Sequence, residues 1–197
     1  MITPPSPETP ELLHATRWLS LYQRGKWIYA SRRDADAPPR IDGLAIVAFH
    51  EEAGVGGTVR RRLVVIEEWR VPVQTWTFGM PAGLLEPGET LATCAERELA
   101  EETGLKLTWT GATSGTTFSS PGMTDESIAF IVAGCSGTPA ENPGVDGERI
   151  RVHLLDRAGC RALLARHAAG GAALSMRFWP VLLGIAETGG FGGRSVD

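Results

Sequence analysis

Cysteine is scarce in this chain. The three thiols, Cys94, Cys135 and Cys160, are odd in number and widely spaced, with no C-x-x-C pair. They offer neither a disulfide framework nor a zinc site, so a reducing compartment is expected. Long apolar runs are missing too: no stretch approaches the roughly 18–20 residues that a membrane helix requires. The opening MITPPSPETPELLH lacks the basic-then-apolar order of a secretory leader. Nor is there a surplus of positive charge. Lys and Arg number 19 against 23 Asp and Glu, a formal net charge of −4, and phosphate-backbone binding wants a net positive face. No internal repeat is visible. The expectation is a soluble cytoplasmic protein that binds neither nucleic acid nor membrane.

What is present is an ordinary globular composition, 43% hydrophobic over 197 residues, enough for one buried core with an appendage. Residues 1–10 carry four prolines, which predicts a mobile arm, bounded here at 1–15. TRWLSLYQRGKWIYA reads as two short strands about a QRGK turn, and SRRDADAPPR as a polar connection. Together they form a β extension over 16–40. GLAIVAF and RRRLVVIEEWR are strand-length apolar runs. The three arginines entering the second are either a solvated strand end or a phosphate patch. FGMPAGLLEPGET is loop chemistry. Thr90 then caps a helix whose Leu91, Ala95 and Leu99 recur at i, i+4, i+8, and Gly104 ends it. SIAFIVAGC and RIRVHLL read as strands, and helices are predicted over 157–168 and 175–187. The main domain is bounded at 41–187, with a flexible tail at 188–197. Strands and helices without strict alternation predict an α/β layered sandwich on a mixed sheet.

The informative helix places Glu98 and Glu102 on one face, with Glu101 beside them. Like charges at i, i+4 repel, so such a cluster costs stability unless a cation sits among it. Arg97 offsets part of that charge, and a divalent metal suits hard oxygen ligands in a cluster. Taken alone, a solvated acidic face would account for it equally well. The spacing decides. Gly83, Glu89, Arg97, Glu98, Leu99, Glu101, Glu102, Gly104 and Leu105 fit G-x5-E-x7-R-E-U-x-E-E-x-G-U, where U is apolar. With average residue usage a chance match is below roughly one in 10⁸ per window.

This pattern is the Nudix box, and the chain resembles the Nudix hydrolases. The resemblance implies an α/β/α sandwich and Mg²⁺-dependent hydrolysis of a diphosphate linked to another moiety, with Mn²⁺ as a substitute metal. It implies that Glu98 and Glu102 bind metal directly and Glu101 directly or through water. Arg97 would orient the cluster by pairing with Glu89. The carbonyl of Ala82 would be a further metal ligand.

Residues outside the box are similar to the ADP-ribose and ADP-sugar pyrophosphatase branch of that family. The proline before Ala82, Pro121-Gly122 in SSPGMTDE, and the GE of DGERIRVHLL carry the likeness. By that resemblance the N-terminal extension crosses to the partner of a homodimer, and Trp18 and Trp27 sandwich adenine. As residues alone, two strand tryptophans could equally be core or interface. Arg32 would lie near the base, Arg70 would contact phosphate, and Met123 stands in the stretch that reads the distal sugar. Loop 141–148 would supply the catalytic carboxylate, with Glu148 favoured over Asp146. The implied reaction splits ADP-ribose, or a related ADP-sugar, into AMP and a sugar phosphate. The alternatives are GDP-mannose or another nucleotide sugar, or a non-catalytic module that senses ADP-ribose.

Overall fold

Apolar runs long enough to be buried on both faces become the central strands. The computed structural model describes residues 8–35, 37–140, 147, 149–191 and 194–196. In chain order the first strands are β1 (Glu11–Ala15), β2 (Ser20–Arg24), β3 (Trp27–Ser31), β4 (Gly43–Ala53), β5 (Val59–Arg70), β6 (Thr75–Gly79) and β7 (Ala82–Leu84). Helix α1 (Leu91–Thr103) precedes β8 (Lys106–Thr113), β9 (Thr117–Phe118), β10 (Ser127–Ser136) and β11 (Ile150–Leu155). Then come α2 (Arg157–Ala168), β12 (Ala173–Leu174), α3 (Phe178–Thr188), β13 (Gly190–Phe191) and β14 (Arg194–Ser195). The chain divides into two compact units, Met1–Asp42 with Thr116–Ile128, and Gly43–Gly115 with Ala129–Asp197.

In the first unit β1, β2 and β3 form an antiparallel sheet in that order. The β2–β3 turn passes through Gly25 at φ 57°, a conformation that favours glycine. Tyr22 faces Tyr29 across the pair and is the buried ring of the sheet. Strand β1 falls inside the stretch read from sequence as a mobile arm. Every residue of β1 is exposed, so apolar patterning gave no sign of it, and backbone pairing with β2 defines it instead. Segment 116–128 is stitched to this sheet. Ala30 N–H donates to the Met123 carbonyl at 2.9 Å, and Ser31 Oγ donates to Asp125 Oδ2 at 3.0 Å.

In the second unit the sheet runs β12-β6-β5-β4-β10-β8, with β11 also on β5 and β7 on β4. The β12–β6 pair is parallel while β4–β5, β5–β6 and β5–β11 are antiparallel, so the sheet is mixed. Gly43–His50 and Leu63–Glu68 are buried without a break. Each Leu, Ile or Phe so enclosed contributes about 1.5–3 kcal/mol. Helix α1 packs against β4, β7 and β8, while α2 packs on β11 and α3. The result is the expected α/β/α sandwich on a mixed sheet, and the antiparallel N-terminal sheet is present as well.

Differences from the sequence reading lie where pairing, not composition, makes the strand. The Gly/Pro-rich stretch 78–90 was expected to be loop, yet β6 enters it and β7 forms inside it, held by β5 and β4. Helix α3 starts at Phe178, three residues later than expected. The tail contains the β13–β14 hairpin, and Val196 is buried, with its N–H on the Gly189 carbonyl at 2.6 Å. Arg61 and Arg62 pair with Glu51 and Glu52 across β4 and β5, which favours an ion-paired strand end over a phosphate patch. No helix among the described residues is long and apolar enough to cross a membrane.

Candidate active site

Helix α1 is specified at both ends. Thr90 and Thr93 cap each other reciprocally at the N-terminus, and Gly104 closes the helix at φ 71°, where a side chain would be strained. Between these caps Ala95 and Leu99 are buried against the sheet, and the same face carries Glu98 and Glu102 inward. Both carboxylates are nearly enclosed, at 8% and 5% exposure. Enclosing charge is costly without partners.

Arg97 supplies much of that partnering. Its Nε and Nη2 donate to the two Glu89 oxygens at 2.8 and 2.9 Å, a bidentate fork, while Glu86 N–H donates to Glu89 at 2.8 Å. The Arg97 hydrogen bond is the main cause that pulls the Glu89 carboxyl down to about 2, and the Glu86 bond adds to it. Arg97 is in turn held still more firmly protonated. Its Nη1 reaches Glu98 at 2.7 Å and Glu101 at 3.3 Å, and Nη2 reaches the Leu84 carbonyl at 2.9 Å. One guanidinium thus ties the β7 loop to three glutamates of the box.

The strand before the helix approaches it closely. Ala82 N–H donates to Glu102 Oε2 at 2.8 Å. A Cβ placed on Gly83 would collide with the Glu98 carboxyl, so only glycine leaves this carboxylate where it is. Among the described residues no three His, Cys, Asp or Glu side chains converge as a ready metal cluster. The hydrogen bonds explain this: Glu98 and Glu101 turn to Arg97, and Glu102 turns to the Ala82 amide. The donor set still suits a hard divalent cation, because Glu98, Glu101, Glu102 and the Ala82 backbone present oxygens within one loop-helix element. The glycine cradle that Glu98 occupies is a second sign of a fit.

Arg70 belongs to the same unit. It ends β5, pairs with Glu68 at 2.7 Å, and lines a cavity of about 40 Å³ together with Ala82. Glu68, 8% exposed, and Arg177 also line it. Neither was anticipated from sequence. The EEWR ending of β5 was the one signal for Glu68; Arg177 had none.

The remaining candidates stand in the first unit. Trp27 is 57% exposed and lines a cavity of about 1020 Å³ with Tyr29, Phe118 and Pro121. Trp18 lies in the bend between β1 and β2 rather than on a strand. It is 66% exposed, is not in that cavity wall, and has Arg17 over its ring at 4.5 Å. Such exposure argues against either indole being core within this chain. Arg32 pairs with Glu126 at 3.0 Å, and the Met123 side chain is 71% exposed. The Arg33 side chain, 7% exposed, forms ion pairs with Asp125 and Asp42 at 3.4 and 3.6 Å, and Arg33 and Asp125 line the same cavity as Trp27. Glu148 and Asp146 lie outside the described residues.

The chain is similar to known proteins in sequence and in fold. The NUDIX domain model matches residues 48–177. The ADP-ribose pyrophosphatase of Escherichia coli (strain K12) is 33% identical over 111 residues, covering 50% of this chain and 51% of that protein. The ADP-ribose pyrophosphatase of Saccharomyces cerevisiae is 34% identical over 83 residues, covering 41% and 34%. The chain spans about half the length of the first curated relatives it matches. The crystal structure of an ADP compounds hydrolase shares the fold at a TM-score of 0.59 and 19% identity, over 84% of this chain and 85% of that one. A family model covering most of the sheet and α1, on a chain whose box residues are already tied together through Arg97, leads to one assignment: this chain belongs to the NUDIX domain family.

Proposed function

We propose that the chain hydrolyses the diphosphate of ADP-ribose, or of a closely related ADP-sugar, to AMP and a sugar phosphate, with Mg²⁺ as cofactor and Mn²⁺ as a substitute. The observation that carries this is the Arg97 clamp on Glu89, Glu98 and Glu101 beside the Ala82–Glu102 contact. Similarity to two ADP-ribose pyrophosphatases supports the choice of substrate. Glu98, Glu101, Glu102 and the Ala82 carbonyl would hold the metal. When bound it would polarise the phosphoryl oxygens and lower the pKa of the attacking water. Arg97 keeps the carboxylates oriented and partly neutralised. Arg70 would offer its planar fork to a phosphate.

Glu148 would take the proton from the attacking water, as a general base within hydrogen-bond reach of it. Glu148→Gln should then lose at least about a hundredfold in kcat with KM little changed, and Asp146→Asn less than about tenfold. The opposite ranking would move the role to Asp146. For the base, exposed Trp27 and Trp18 suit stacking, worth about 1–3 kcal/mol per base. Arg32 would sit by the base and Met123 by the distal sugar. The β extension would complete the site of a symmetric partner.

The deciding experiment is a panel of nucleotide sugars with a phosphatase-coupled phosphate readout, run with Mg²⁺ and with Mn²⁺. ADP-ribose or another ADP-sugar should give the highest kcat/KM. A preference for GDP-mannose would replace the substrate, and binding of ADP-ribose without turnover would make the chain a sensor.

A further inference from the structure

The cavity of about 40 Å³ in the second unit joins two arginines from distant parts of the chain. We infer that Arg177 is a second cationic arm opposite Arg70, binding a non-bridging oxygen of the substrate's diphosphate. The inference rests on the diphosphate-hydrolase reading above, because it places the anion beside Ala82, which shares the cavity wall.

Charge favours an anion there. The Arg70 guanidinium is already matched by Glu68 at 2.7 Å, whereas Arg177 forms no ion pair among the described residues. Among the described residues the wall therefore carries two cations against one carboxylate. A second observation is independent of charge: Thr77 lines this cavity, and its buried hydroxyl oxygen has no hydrogen-bond partner among the described residues. A buried hydroxyl left unmet is unfavourable, and a ligand oxygen would accept from it. Size narrows the occupant further. About 40 Å³ accepts one oxyanion group or a few waters, and excludes a purine or a ribose.

The fold also holds Arg177 in place. Strand β12 pairs in parallel with β6, Ala173 opposite Thr77 and Leu174 opposite Phe78. Ser175 N–H then donates to the Phe78 carbonyl at 2.9 Å, and the Ser175 carbonyl accepts from Phe178 N–H at 3.0 Å to start α3. Arg177 is thus three residues past a registered pair and one before a helix. Arg177 is half-buried and lines the same cavity as Arg70 and the end of β6.

The test is calorimetric titration of the full chain with methylenediphosphonate, a non-hydrolysable diphosphate, in Mg²⁺. Arg177→Ala should weaken binding about tenfold, the scale of one charge-assisted hydrogen bond. Arg177→Lys should restore part of it, and adenosine binding should be the same in all three proteins. With the best substrate from the panel, KM should rise in Arg177→Ala while kcat stays within about threefold, because the contact holds ground and transition states alike. As a check on the unmutated protein, methylenediphosphonate and not adenosine should protect Arg177 from phenylglyoxal, read by peptide mass spectrometry. Equal diphosphate affinity in Arg177→Ala, or no protection, overturns the inference. If diphosphate binding depends on Arg177 but no ADP-sugar is hydrolysed, the anion site stands and the ADP-ribose reading falls.

Discussion

A Cβ at Gly83 would meet the Glu98 carboxyl, and Gly83→Ala therefore forces that carboxylate to move. The backbone at Gly83 is not in the left-handed region, so alanine is tolerated there as such. Losing a glycine stiffens the unfolded chain and favours the fold by about 0.4–1 kcal/mol. Displacing Glu98 from its rotamer costs about 0.5–1.5 kcal/mol. Breaking its 2.7 Å pair with Arg97, which is 24% exposed, removes about 0–1 kcal/mol more. The net change is at most about 2 kcal/mol, or a Tm shift of no more than about 8 °C in a chain of this length. Activity should respond far more. A misplacement of about 1 Å in a group that positions the reaction costs on the order of a hundredfold in kcat. Thermal melts, Mn²⁺ titration followed by electron paramagnetic resonance, and kcat on the best panel substrate measure the three effects separately. Near-normal melting with weakened Mn²⁺ binding and a collapse in kcat is expected. Wild-type Mn²⁺ affinity and kcat in Gly83→Ala would refute the role given to Glu98 and its glycine cradle.

Activity should vanish in EDTA and return with Mg²⁺ or Mn²⁺, and Glu102→Gln should lower kcat by at least about a hundredfold; full turnover in excess chelator would remove the metal reading. Trp27→Ala should raise KM for ADP-ribose about tenfold with little change in kcat or Tm, since the indole is 57% exposed. A loss of dimer without a KM effect would make Trp27 an interface residue. Light scattering should give about twice the 21.1 kDa chain mass, and a fully active monomer would end the crossover proposal. Burial pushes the thiols of Cys94, Cys135 and Cys160 from the usual 9 up to about 12. A thiol whose pKa rises on folding contributes stability that is complete below pH 9 and lost as pH climbs towards 12, so denaturation midpoints should fall across that window. At about pH 8 a thiol reagent should find no reactive cysteine in the folded protein and all of them after denaturation. Midpoints flat across the window would contradict the burial assigned to these thiols.

What the sequence determined by itself is local. Thr90 and Gly104 bound α1 because capping is settled within one turn of the helix, and the i, i+4 interval brings Glu98 and Glu102 to one face wherever that helix is placed. Arg97 can reach Glu89 because both belong to one short loop-helix element. The buried strands β4, β5 and β10 were legible for a similar reason, as unbroken apolar runs that only a sheet interior hides well. Tertiary structure alone decided the rest. Strand β1 has no buried residue, and β7 arises in a Gly/Pro-rich stretch; each exists because a neighbour offers hydrogen bonds to its backbone. That Ala82 N–H takes Glu102, and that Arg97 also reaches the Leu84 carbonyl, depends on how closely β7 approaches α1, which no spacing encodes. Arg177 shares a cavity wall with Arg70 only because the two residues of β12 register against β6. A pairing that short leaves no periodic trace, and its free energy appears only once partners far apart in the chain are already in place.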